Sequence, residues 1–263
     1  MQSPFTTLRL PGPFARRRGR GFNPASLFAN GEQGAFYDPS DLSTLFQDDA
    51  GTSPVTEPGQ TVGLVLDKSG NDNHATQPTA EARPVYQAGG GLHWLEFDGV
   101  DDFLDLGENA GPQNWTFVSS ATPMQATTGS TGDPIYGSNQ ASDNRAIIYP
   151  NDTNLGSGGV RVFVSGNNPI DQEGVDVSGA TQVYSIRSAS GQHDLRINGV
   201  LEEQSVDGVS ANILNEGHIA AYSTSTQRAK INIFGLLIVQ NRLEGDDLQK
   251  AEQFMAQRAG VTI

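Results

Sequence analysis

About a dozen short apolar and β-branched runs, each closed within a few positions by Gly, Pro, Asn or Asp, set the limits on how this 263-residue chain folds. Residues 61–66, 92–97, 102–106, 115–120, 134–136, 146–149, 160–165, 182–188, 217–222 and 230–239 all have strand length, and no helical periodicity separates them. Closely spaced strands of this kind predict an antiparallel sandwich or barrel. Asn198-Gly199, between 193–197 and 200–204, is a hairpin turn in which both residues tolerate positive φ. Asp98-Gly99-Val100-Asp101 reads as a second hairpin, joining 92–97 to 102–106. Leu42, Leu45 and Phe46 predict one helical turn after Asp38-Pro39-Ser40-Asp41. Helical spacing is sustained only near the end of the chain, where Leu248, Ala251 and Met255 recur with Phe254 beside them. Asp246 and Asp247 suit the positive end of a helix over 245–259, Arg258 suits its negative end, and Gly260 is a natural cap.

Composition agrees with many strands and many turns. Charged residues make up only 17% and Gly numbers 31, which argues against a disordered chain and against a helical bundle. Cysteine is absent, so disulfide frameworks and thiolate zinc sites are excluded. No apolar run is long enough to span a membrane as a helix, and the N-terminus lacks the apolar core of a signal peptide.

The net charge of −14 is unevenly placed. Residues 1–31 hold five arginines and no acid, whereas the other 232 residues hold 11 basic and 30 acidic side chains, a balance of −19. Pro4, Pro11, Pro13 and Pro24 keep the first segment extended, so residues 1–35 read as a basic arm and 36–263 as the globular body. The arm either lies along a partner or the body, or is a mobile tail. Arg16, Arg17, Arg18 and Arg20 are its candidate anchoring residues. Nucleic acid is an unfavourable partner for a body this acidic.

Several motifs resemble those of a known family, and they do so in its order. Residues 67–74, DKSGNDNH, resemble the D-x-S-G-x-x-N-H opening of LamG-like, concanavalin A-type jelly rolls. Residues 97–103, FDGVDDF, resemble the family's F-D-G-x-D-D-[YF] hairpin, and 195–200, LRINGV, its L-x-[IV]-N-G hairpin. Residues 235–243 resemble its closing strand, departing at Gln240, where Tyr or Asp is commoner. The segment GEQGAFYDPSD at 31–41 is similar to one that precedes the jelly roll in virion proteins of tailed bacteriophages and prophages. The resemblance implies an all-β antiparallel jelly-roll sandwich with an extended N-terminal arm and one C-terminal helix. It implies a non-enzymatic phage structural protein, either a capsid decoration or head fibre or a tail-tip or fibre component. The arm would bind other virion proteins, the body would face outward on the particle after synthesis in the host cytoplasm, and copies would form a homo-oligomer. The alternative is a polysaccharide-cleaving glycoside hydrolase of the concanavalin A-like fold.

Site candidates fall into three groups. Glu96, Asp98 and Asp101 resemble the E-x-D-x-E acids that glucanases of this fold project from one strand, although Asp101 is one methylene shorter than Glu and the Asp98-Gly99 turn would carry it off the strand face. A hairpin whose acids bond their own backbone is the simpler expectation there. Host-glycan binding would draw on Trp94, Trp115, Tyr136, Tyr149 and Tyr222 as stacking platforms, with Asn151, Asp152, Asn154, Asn167 and Asn168 as polar donors and acceptors. Calcium is the one cofactor considered, with Asp67, Asp98, Asp101 and Asp102 as ligands. Residues 67–78 are not an EF-hand, because Asp72 replaces the glycine and Pro78 the bidentate acid. The four histidines lack H-x-x-x-H spacing, and neither a nucleophile elbow nor a phosphate loop occurs.

Overall fold

A computed structural model describes residues 21–107, 114–124, 134–138, 146–150, 152, 155, 159–164, 169–173, 177, 179–206, 213–214, 216–222 and 227–263. Two antiparallel sheets face each other. The first comprises β1 (Gly34–Tyr37), β5 (Val85–Gly89), β6 (Leu92–Asp98), β8 (Trp115–Pro123), β13 (Gln182–Ala189), β14 (Gln192–Ile197), β15 (Val200–Val206) and β17 (Lys230–Val239). Its order is β15-β14-β13-β8-β17-β6-β5, with β1 also on β17. The second comprises β2 (Leu45–Phe46), β3 (Leu64–Val65), β4 (Ala75–Thr76), β7 (Leu104–Asp105), β9 (Tyr136–Ser138), β10 (Ala146–Tyr149), β11 (Gly159–Val164), β12 (Pro169–Glu173) and β16 (Gly217–Ile219). Its order is β12-β11-β10-β9-β16-β7-β4-β3-β2.

Alternation along each strand fills the space between the sheets. Trp115, Phe117 and Ala121 on β8 and Ile231, Ile233, Leu236 and Ile238 on β17 point inward with Tyr184, meeting Tyr136, Ile148 and Leu104 of the second sheet. The Phe117 and Tyr136 rings pack 5.8 Å apart within this core. Asn198 (φ 50°) and Gly199 (φ 78°) make the expected hairpin between β14 and β15.

The expected hairpin at 98–101 does not form. β6 pairs with β5 and β17 in the first sheet, and β7 pairs with β16 and β4 in the second. The tight turn therefore carries the chain from one sheet to the other at the sandwich rim. Gly89-Gly90-Gly91-Leu92, with positive φ at Gly90 and Gly91, closes the hairpin that β6 does make, back to β5.

Residues 67–74 clamp β1 in place. One Asp67 carboxylate oxygen accepts from the Phe36 and Ser69 backbone N–H groups, and the other accepts from Ser69 Oγ and the Asn73 N–H. The Asn71 and Asn73 amides donate to the Gly34 carbonyl, and His74 Nδ1 accepts from the Asp67 N–H. The boundary drawn at residue 35 passes through β1, and the body begins earlier. Phe28 is buried beside the terminal helix, and Phe22 packs edge-on against Phe254. Arg16, Arg17, Arg18 and Arg20 lie outside the described residues.

Helix α1 (Gly245–Arg258) has the expected extent and lies on the outer face of the first sheet. Leu248, Ala251, Met255 and Ala256 cover Val118 of β8, Val183 of β13 and Leu237 and Val239 of β17. Glu252, fully buried, receives Arg196 of β14 at 2.7 Å and fixes the helix across the hairpin.

Candidate acid group and open sheet face

The helix covers only part of that outer face. Where β17 passes its bulge between Ile233 and Gly235, the outward residues change character. Phe234 is the last large apolar one, and beyond it Asn232 and Lys230 face outward. On β6, alternation places Trp94, Glu96 and Asp98 on the same outward face, while Leu95 and Phe97 enter the core. Cross-strand register sets Asp98 beside Lys230 and Glu96 beside Asn232, and Asn232 stands opposite Thr122 of β8. The Trp94 and Phe234 rings lie 5.7 Å apart, and the Trp94 ring reaches over Gly89, where a Cβ would stand 3.6 Å from its tip. Thr122 Oγ1 is 2.7 Å from Thr181 Oγ1, and the Asn232 amide nitrogen is 3.6 Å from Met124 Sδ. Trp94 Nε1 and Asn232 Oδ1 are buried and have no hydrogen-bond partner among the described residues.

At the rim beside this face the crossover turn gathers acids. The side-chain oxygens of Asp98, Asp101 and Asp102 lie within 4.8 Å of one another. Gly99 (φ 80°) permits the turn, since a Cβ there would stand 2.9 Å from Lys230 Cβ. Asp98 Oδ1 accepts from the Val100 N–H at 2.7 Å, and Asp102 Oδ2 accepts from the Asp98 N–H at 3.0 Å. Asp102 is only 5% exposed. Burial is the main cause that pushes its carboxyl up to about 7; the Asp98 N–H acts the other way, and the charges of Asp98, Asp101 and Glu96 add to the rise. Asp98 and Asp101 are exposed. Arg228 stacks on Phe103 at 4.3 Å and donates to the Asp101 carbonyl.

The structure sorts the residues singled out from sequence. Asp98, Asp101 and Asp102 come together, but Asp67 sits in the β1 clamp with both carboxylate oxygens engaged, so it does not join them as a calcium ligand. Three carboxylates are the right donor type for a hard cation, yet calcium takes six to eight oxygens and two of these already accept backbone N–H groups. What the grouping produces most directly is a raised Asp102 carboxyl, through burial and the charges beside it. Trp115 and Tyr136 are not glycan platforms, because both are wholly buried between the sheets. Tyr149 is buried too, its hydroxyl on Gln227, and Asp152 is consumed by an ion pair with Arg161 at 3.0 Å. Asn151, Asn154, Asn167 and Asn168 lie outside the described residues. Of the candidate platforms, Trp94 and Tyr222 are partly exposed, and Trp94 lies on the strand that carries Glu96. Asn232 and Met124 were missed; the register that brings them beside Glu96 depends on strand pairing across more than a hundred residues.

No protein-family model and no curated protein sequence matches the chain. Solved structures do. Domain 4 of AbnA, a GH43 extracellular arabinanase from Geobacillus stearothermophilus, in complex with arabinotriose, is similar with a TM-score of 0.58 and 15% identity, over 84% of this chain and 98% of that one. A GH54 α-L-arabinofuranosidase is similar with a TM-score of 0.64 and 12% identity over 90% of this chain, which spans 65% of the enzyme. Trypanosoma rangeli sialidase is similar with a TM-score of 0.56 and 12% identity over 89% of this chain, which spans 34% of the sialidase. These likenesses show a two-sheet β-sandwich of a kind found in carbohydrate-active proteins. They overturn the expectation of a non-enzymatic phage structural protein, since the similar structures are of glycoside hydrolases and sialidases.

Proposed function

We propose that this chain is a carbohydrate-active jelly-roll protein that hydrolyses a glycosidic bond of a polysaccharide, with the rim acid group as its reactive centre. The observation that carries the reading is the contrast within that group. Asp102 is buried and holds its proton up to about pH 7, while Asp98 and Asp101 beside it are exposed to solvent. Glycoside hydrolysis needs such a division, one carboxylic acid and one carboxylate across a single bond. In this reading Asp102 gives its proton to the leaving oxygen as the carbon–oxygen bond breaks. The Asp98 carboxylate, within 4.8 Å of Asp102, meets the positive charge at the sugar carbon, or Glu96, two residues before it on the same strand face, takes a proton from the attacking water. The similar fold of a GH54 arabinofuranosidase and of an arabinotriose-bound arabinanase domain supports the choice of substrate class.

A reducing-end assay against arabinan, xylan, galactan and β-glucan between pH 5 and pH 7 tests this. Release of sugar is expected on at least one polymer, falling by about two to four orders of magnitude in Asp102→Asn. Absence of hydrolysis on every polymer, or an unchanged rate in Asp102→Asn, would overturn the reading.

A further inference from the structure

We infer that the open half of the first sheet's outer face, built by Trp94 and Glu96 of β6, Asn232 of β17 and Met124 beyond β8, is a subsite that takes a neutral sugar ring of a polysaccharide and excludes carboxylated sugars. The inference rests on the hydrolytic reading above and deepens it by naming the substrate's charge class. Two independent observations carry it.

The first is surface chemistry. Trp94 lies against Phe234 and over side-chain-free Gly89, which holds the indole in place while leaving it partly exposed. Met124, 49% exposed, adds apolar surface two strands away, with the Asn232 amide between them. A sugar ring has apolar C–H faces and a polar edge, and an aromatic plane bordered by amide and carboxylate groups matches both.

The second is charge. Glu96, Asp98 and Asp101 line the face and its rim against Lys230, and the chain as a whole carries −14. A uronate or sialate ring would bring its carboxylate beside these solvent-exposed acids, whose shared negative sign disfavours it most at low salt. The face therefore selects neutral pentose or hexose polymers, in contrast to what the sialidase-like fold alone would suggest.

Affinity electrophoresis and titration calorimetry of the full chain test this with arabinan and xylan as neutral probes and polygalacturonate and polysialic acid as anionic ones. Neutral polymer is expected to bind, and Trp94→Ala and Asn232→Ala each to weaken it about tenfold or more, with Trp94→Phe retaining most of the affinity. Thermal melts confirm that each variant is folded. Anionic polymer binding as tightly as neutral, neutral polymer failing to bind, or unchanged affinity in both alanine variants would each overturn the inference. The two proposals fail separately. Trp94-dependent binding without any hydrolysis sinks only the cleavage reading, whereas Asp102-dependent hydrolysis with an unchanged KM in Trp94→Ala sinks only the subsite.

Discussion

The outer face of one sheet is built in two ways on the same strands. Along β17, Leu237 and Val239 face outward under α1, and three residues before Leu237, Phe234 gives way to Asn232 and Lys230 in the open. The change falls at the bulge between Ile233 and Gly235, where a register shift re-aims the strand and glycine lets Met255 approach; a Cβ at Gly235 would stand 2.8 Å from Met255 Sδ. One half thus buries apolar side chains for stability. The other leaves Trp94 and Asn232 partly exposed and Lys230 and Glu96 exposed, which adds little to folding and suits a surface that meets a ligand. If this division is right, substitutions on the covered half should lower stability, and substitutions on the open half should change binding or reaction while leaving stability nearly as it was.

The largest effect belongs under the helix. Met255→Ala removes a fully buried side chain at the bulge and should destabilise the chain by about 2–5 kcal/mol in denaturant unfolding. A loss under about 0.5 kcal/mol would mean that the helix merely rests on the sheet. Glu252→Gln is next: it keeps the shape but turns the carboxylate that receives Arg196 into an amide, at a cost of about 1–3 kcal/mol.

Covered and open halves also differ in how far sequence reveals them. Leu248, Ala251 and Met255 declare their shared face by local spacing, so α1 is legible to within a residue. The Asn198-Gly199 turn is equally local. The 98–101 turn misleads because Asp-Gly signals a reversal without saying which strand is met next, and here the chain leaves for the other sheet. Trp115 and Trp94 look alike as strand aromatics, yet only the pairing of β8 between β13 and β17, settled by residues 61 to 123 positions away, decides that Trp115 is core. Glu96 and Asp98 were legible as a pair through alternation. That Asp102 is the protonated partner was not, since its burial depends on both sheets meeting around the turn.

The acid at the rim gives a test that depends on pH. Asp102 binds its proton more tightly folded, up to about pH 7, than unfolded, where an aspartate titrates near about 4. Between those values the unfolded chain releases the proton and the folded chain keeps it, so this group's contribution to stability falls as pH rises from about 4 to about 7 and is level above. Asp102→Asn lacks the term. The variant should therefore melt above the wild type at pH 8, with the gap closing by pH 4. A gap that stays constant across this range would show that Asp102 ionises normally and would remove the proton donor from the proposed reaction.

The smallest stability change should come from the open half itself, and there the contrast is sharpest. Glu96 is exposed on β6, faces Asn232 across the strand pair and has no ion-pair partner among the described residues. Glu96→Gln keeps its size and strand preference, so unfolding free energy should move by no more than about 0.5 kcal/mol. Its charge, however, is part of what raises the Asp102 carboxyl and part of what repels an anionic sugar. The same variant should lower the pH at which Asp102 titrates, slow hydrolysis, and let polygalacturonate bind more readily than it binds the wild type. Loss of stability without these changes would put Glu96 with the helix-covered half, as a structural residue, and the division of the face would have to be drawn elsewhere.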